Sequence, residues 1–131
     1  MTPITLKTYQ QTALDTLAAF ARAARVKGPA LAFGELAGRP RHAGAFGDGL
    51  PLVRLRLPTG GKTVLAAHAV PLLAREWAAV DAPVAVWLVP SDAIRQQTLK
   101  ALQTPGHPYR AALADAYGEG RRVCAAGDGA P

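Results

Sequence analysis

Thr59-Gly60-Gly61-Lys62-Thr63 sets two glycines, an amine and two hydroxyls side by side, after an alternating apolar run and before a helix-like one. That order suits a phosphorylated ligand. Glycines let backbone N–H groups turn inward around phosphate oxygens, and the N-terminus of the following helix adds its positive end. In such a loop Lys62 reaches the β- and γ-phosphates of a nucleoside triphosphate, and the Thr63 hydroxyl holds Mg²⁺. Thr59, Gly60, Gly61, Lys62 and Thr63 are therefore the expected phosphate cradle. Lys62 and Thr63 would act on the reacting phosphates, and Thr63 would be the metal ligand. The match departs from the full pattern in one respect. Counting back from Gly61, the first glycine of Gly-x-x-x-x-Gly-Lys-Ser/Thr falls on Arg56.

A second candidate is the junction at Val89-Pro90-Ser91-Asp92, where an apolar run stops and a helix starts. A helix N-terminus just past a strand's carboxyl end attracts anions, and Ser91 adds a hydroxyl donor there. The same Ser-Asp pair is also an ordinary helix cap. Three histidines (His42, His68, His107) are spaced as no metal site is, and each reads as structural or solvated. Cys124 stands alone, which excludes an internal disulfide and a zinc cluster. Trp77 and Trp87 read as core.

The elements that must carry these residues alternate in type. Leu6 to Arg25 has apolar residues at three- and four-residue spacing and predicts an amphipathic helix, closed by Lys27-Gly28-Pro29. Residues 28–49 are rich in glycine and read as one long loop, with Ala30-Leu31-Ala32-Phe33 its only compact apolar patch. Leu50 to Leu57 alternates and predicts a strand, with Arg54 and Arg56 on its wet face. Lys62 to Ala79 predicts a helix interrupted near Pro71. Val84 to Val89 is a continuous apolar run of strand length, as in a parallel strand covered on both faces. Ala93 to Gln103 and Tyr109 to Tyr117 predict two more helices. The expected fold is α/β, an incomplete parallel sheet with flanking helices.

Taken together, three segments resemble the first motor domain of superfamily 2 helicases, and within it the Res subunit of type III restriction enzymes. These are Tyr9-Gln10-Gln11, Pro58-Thr59-Gly60-Gly61-Lys62-Thr63, and Val86 to Lys100 with His107-Pro108-Tyr109-Arg110 beyond it. The likeness runs over residues 4–123. It implies a RecA-like P-loop domain over 1–123, with 124–131 an unstructured tail. By that resemblance Gln10 is the adenine-sensing glutamine, since a side-chain amide donates and accepts at once. Pro90, Ser91 and Gln97 would grip the sugar-phosphate backbone of DNA, and Arg95, one turn in, would add charge. ATP and Mg²⁺ are the implied cofactors. DNA is the implied partner, with a modification or specificity subunit in the parent system.

Two departures bear on activity. Such helicases keep Gly-x-Gly before the lysine, so one loop residue is missing here. That shortens the backbone path around the β-phosphate by about 3.5 Å. No two of the nine acidic residues are adjacent, so the Asp-Glu pair that positions Mg²⁺ and water is lacking. A second motor lobe is also lacking. The expectation is a piece of an ATP-dependent DNA translocase that binds weakly and does not turn over. The alternative is a non-catalytic module for nucleic acid or phosphate.

The bulk properties agree with either reading. The 131 residues carry a formal charge of +6, from 15 basic and 9 acidic side chains. That balance suits a polyanion. The N-terminus lacks a signal-peptide layout, and no apolar run approaches the ~20 residues that span a bilayer. The expected compartment is the cytoplasm.

Overall fold

The computed structural model describes residues 5–40, 49–58 and 60–126. Helix α1, Thr8–Lys27, buries Leu14, Leu17, Ala18, Ala21 and Ala24 at three- and four-residue steps. Its start is tied by Gln10, whose Oε1 accepts the Lys7 backbone N–H at 2.9 Å. Gly28, at φ 92°, ends it while its N–H donates to the Ala24 carbonyl. Helix α2, Pro29–Ala37, follows at once, with proline in the first turn, where a missing N–H costs nothing. It closes at Gly38 in the left-handed conformation. Phe20 and Phe33 meet edge to face at 6.4 Å and fix α2 on α1.

Helix α3, Lys62–Leu73, continues through Pro71 into a π-helical turn, Ala74–Ala78. Proline leaves the Ala67 carbonyl without its usual donor, and the ladder widens one turn later. The widened turn carries Trp77 onto Phe20, Ala24 and Ala32. Glu76 there pairs with Arg22 of α1 and with Arg75. The Arg75 hydrogen bond is the main reason the Glu76 carboxyl lies below its usual range. Leu14 and Leu17 of α1 pack on Leu65 and Leu72 of α3, with Leu6 and Leu57 at the margin.

Helix α4, Asp92–Gln103, and helix α5, Pro108–Tyr117, complete the set. α3 lies between α1 and α5, and α4 joins the assembly through α5. Arg110 of α5 donates to the Gln103 carbonyl at 2.7 Å and pairs with Glu119. Arg121 in turn donates to the Arg110 carbonyl at 3.1 Å. The Tyr117 hydroxyl, on the last residue of α5, is buried with no hydrogen-bond partner among the described residues.

The expectation of an α/β fold with a RecA-like parallel sheet is overturned. Among the described residues there are helices and no strands. The two runs read as strands, Leu50 to Leu57 and Val84 to Val89, form no strand, and Val84, Val86 and Leu88 stand 95%, 82% and 88% exposed. The physical reason is partner supply. A helix closes its hydrogen bonds within itself, whereas a parallel strand depends on neighbours, and two or so strands do not make a stable sheet in water. The apolar face of 83–88 instead forms one wall of an open groove against α3 and the π turn, lined by Val70, Leu73 and Trp77. The long loop expected over 28–49 is corrected at its start, since α2 occupies Pro29–Ala37; its residues 41–48 lie outside the described residues. No described helix is long and apolar enough to cross a membrane.

Candidate phosphate site

Tyr9 and Gln10 sit in the first turn of α1, and both reach the glycines that precede α3. The Tyr9 hydroxyl donates to the Gly60 carbonyl at 2.9 Å. Gln10 Nε2 donates to the Gly61 carbonyl at 3.2 Å. Gln10 is 5% exposed, and both ends of its amide are engaged, one on Lys7 and one on Gly61. A buried amide is tolerated only when so paired.

These two bonds orient the loop. A trans peptide sets its N–H opposite its C=O. With the Gly60 and Gly61 carbonyls held toward α1, the N–H groups of Gly61 and Lys62 point away from it. Those donors lie at the start of α3, where Gly61 is the cap residue and offers no side chain to occupy them. No acidic residue stands in the first turn of α3, and Lys62 is exposed. The result is an anion-receptive corner of outward N–H groups, the helix's positive end and one ammonium.

Gly61 is required here on two counts. Its φ is 88°, in the region that L side chains avoid, and an added Cβ would lie 2.3 Å from Gln10 Nε2. The left-handed glycine directly before Lys62 lets the chain turn from loop to helix in one residue.

Thr63 is half-buried and faces the other side of the site. It lines a cavity of about 410 Å³ with Gln97 and Thr98 of α4 and with His107 and Tyr109 at the start of α5. The His107 Nδ1 accepts the Tyr109 N–H at 3.3 Å, and the two rings meet edge to face at 4.6 Å.

The structure thus brings Gln10, Gly60, Gly61, Lys62 and Thr63 to one place, and the cavity joins Gln97 to Thr63. Pro90, Ser91 and Arg95 are exposed at the start of α4 and do not themselves line that cavity. Ser91 Oγ caps α4 by accepting the Ile94 N–H at 3.3 Å. Arg95 is held by Asp92, its Nε 2.7 Å from Oδ1. Thr59 lies outside the described residues. Among the described residues no three His, Cys, Asp or Glu side chains gather as a metal site. A magnesium ion at Thr63 would therefore rest on the hydroxyl and on the ligand's own phosphates.

Sequence reasoning passed over Tyr9 as a site residue, although its place beside Gln10 was the available signal. It also passed over Tyr109 and read His107 as structural or solvated. His107 does cap α5 through Nδ1, and it lines the cavity as well. Nothing in the spacing announced that second role, because α4 and α5 had first to be folded together. No family model matches the chain, and neither a curated protein nor a solved structure matches it.

Proposed function

We propose that this chain holds the phosphates of a nucleoside triphosphate, with Mg²⁺, at Gly60, Gly61, Lys62 and Thr63. The supporting observation is the pair of hydrogen bonds that Tyr9 and Gln10 make across 51 residues to the two glycine carbonyls. They fix the loop with its N–H donors outward before any ligand arrives, so binding does not have to order it. The resemblance to the Res subunit of type III restriction enzymes supplies the wider setting: the ATP-binding part of a DNA translocase. The residues of this chain include no adjacent carboxylates to position water, so binding without turnover is the expected behaviour.

DNA contact by Pro90, Ser91, Arg95 and Gln97 belongs to that wider reading. Its local support is weaker, because Ser91 caps α4 and Arg95 is paired with Asp92. A titration of a fluorescent ATP analogue with Mg²⁺ tests the reading. Saturable binding by the parent and its loss in Lys62→Ala are expected. Equal binding by both proteins, or none by a folded parent, would refute it.

A further inference from the structure

A cavity of about 410 Å³ opens beside Thr63, between α3 and the α4–α5 pair. We propose that it takes the nucleoside half of the triphosphate, with the base against Tyr109 and His107 and its polar edge toward Gln97. This rests on the phosphate reading of Gly60–Thr63. It moves base recognition away from Gln10, to the opposite side of α3's first turn.

Three observations carry it. The α1 side of the loop is closed. Gln10 is buried, both ends of its amide are bonded within the chain, and it already crowds Gly61. The α4 side is open, with a cavity of about 410 Å³ that begins at Thr63 itself. That volume falls in the range of small-ligand sites, roughly 300–1,000 Å³. The nucleoside is joined by one ester to the α-phosphate, a few bonds from the β- and γ-phosphates assigned to Lys62, so it has to lie within a short reach of the loop. Thr63 belongs to both places.

The lining fits the chemistry of a base. Tyr109 and His107 supply two aromatic rings, and base–aromatic stacking tolerates any π-face. His107 Nδ1 accepts the Tyr109 N–H, so in the neutral ring the proton sits on Nε2 and can be donated. Gln97 offers a donor and an acceptor on one amide, and Lys100 adds a cation. Among the described residues no carboxylate lines the cavity, which suits an anionic ligand.

The test compares inorganic triphosphate with ATP, each with Mg²⁺, by calorimetry on the full chain. Tyr109→Ala and Gln97→Leu are the variants, each checked for fold by circular dichroism. Inorganic triphosphate should bind all three proteins alike. ATP should bind the parent about tenfold tighter than triphosphate, and that gain should vanish in Tyr109→Ala and shrink in Gln97→Leu. Should Tyr109→Ala fail to fold, exposed Gln97 decides the matter alone. A gain that survives both substitutions overturns the inference while leaving phosphate binding intact. The same result with weakened oligothymidylate binding would give the cavity to a nucleic-acid strand instead. No triphosphate binding by the folded parent would sink the phosphate reading and this inference together.

Discussion

Gln10 Nε2 donates to the Gly61 carbonyl at 3.2 Å, and the same nitrogen lies 2.3 Å from where Gly61 would carry a Cβ. One contact therefore both orients the loop and opposes a side chain at position 61. Gly61→Ala should destabilise the fold by about 1–2 kcal/mol from the left-handed backbone alone, with the clash added. Gln10→Ala in the same chain should remove the clash and leave the backbone cost. Urea midpoints of the two single variants and the double variant check this. The double variant should lose less stability than the two single losses added together.

The shortened loop makes its own prediction. One extra glycine between Gly60 and Gly61 restores about 3.5 Å of path around the β-phosphate. Affinity for Mg-ATP should rise in that insertion variant, measured by the same fluorescent titration. No gain would mean that the native loop already closes around the phosphates without the missing residue.

At the start of α4, the Asp92–Arg95 pair is exposed, and such pairs contribute about 0–1 kcal/mol. A phosphate can compete with Asp92 for Arg95. Asp92→Asn should strengthen single-stranded DNA binding a few-fold at low salt, and the gain should shrink as salt rises. Arg95→Ala should weaken it. Ser91→Ala should cost about 1 kcal/mol through the lost cap, with DNA affinity falling only if Ser91 also meets phosphate.

Much of the helical part of this fold is legible in the sequence. The period through Leu14, Leu17 and Ala21 marks α1, and Ser91-Asp92 marks the start of α4. Both signals are local. α2 was hidden because its glycine-rich surroundings read as loop, although Pro29 and Gly38 frame it as first-turn and end residues do. The strand expectation failed for the opposite reason. Val84, Val86 and Leu88 have the composition of a buried strand, but strand formation depends on neighbours that no local pattern reports. The site divides the same way. Gly60 to Thr63 announces itself, whereas the Tyr9–Gly60 bond and the cavity at Tyr109 exist only once distant helices have packed.

The Tyr117 hydroxyl offers a test of the α5 packing. Burial raises its pKa, so the folded state favours the neutral phenol. The group's contribution is fully present below the unfolded value of about 10, and it is lost as pH rises from there through the folded value. Stability should therefore fall in alkali above about pH 10, and Tyr117→Phe should lack that group's share of the loss. Because the hydroxyl is buried without a partner among the described residues, Tyr117→Phe should also stabilise at neutral pH, by up to about 1 kcal/mol.

Amide NMR reads the outward N–H groups at the start of α3 one by one, and so reports directly whether they receive phosphate. Titrating magnesium triphosphate into isotope-labelled protein should shift the amides of Gly61, Lys62 and Thr63 saturably. Those at the start of α4 should move little. Shifts confined to Ser91 through Arg95, or no saturable shift near Gly61 in a folded sample, would rule out phosphate at the start of α3.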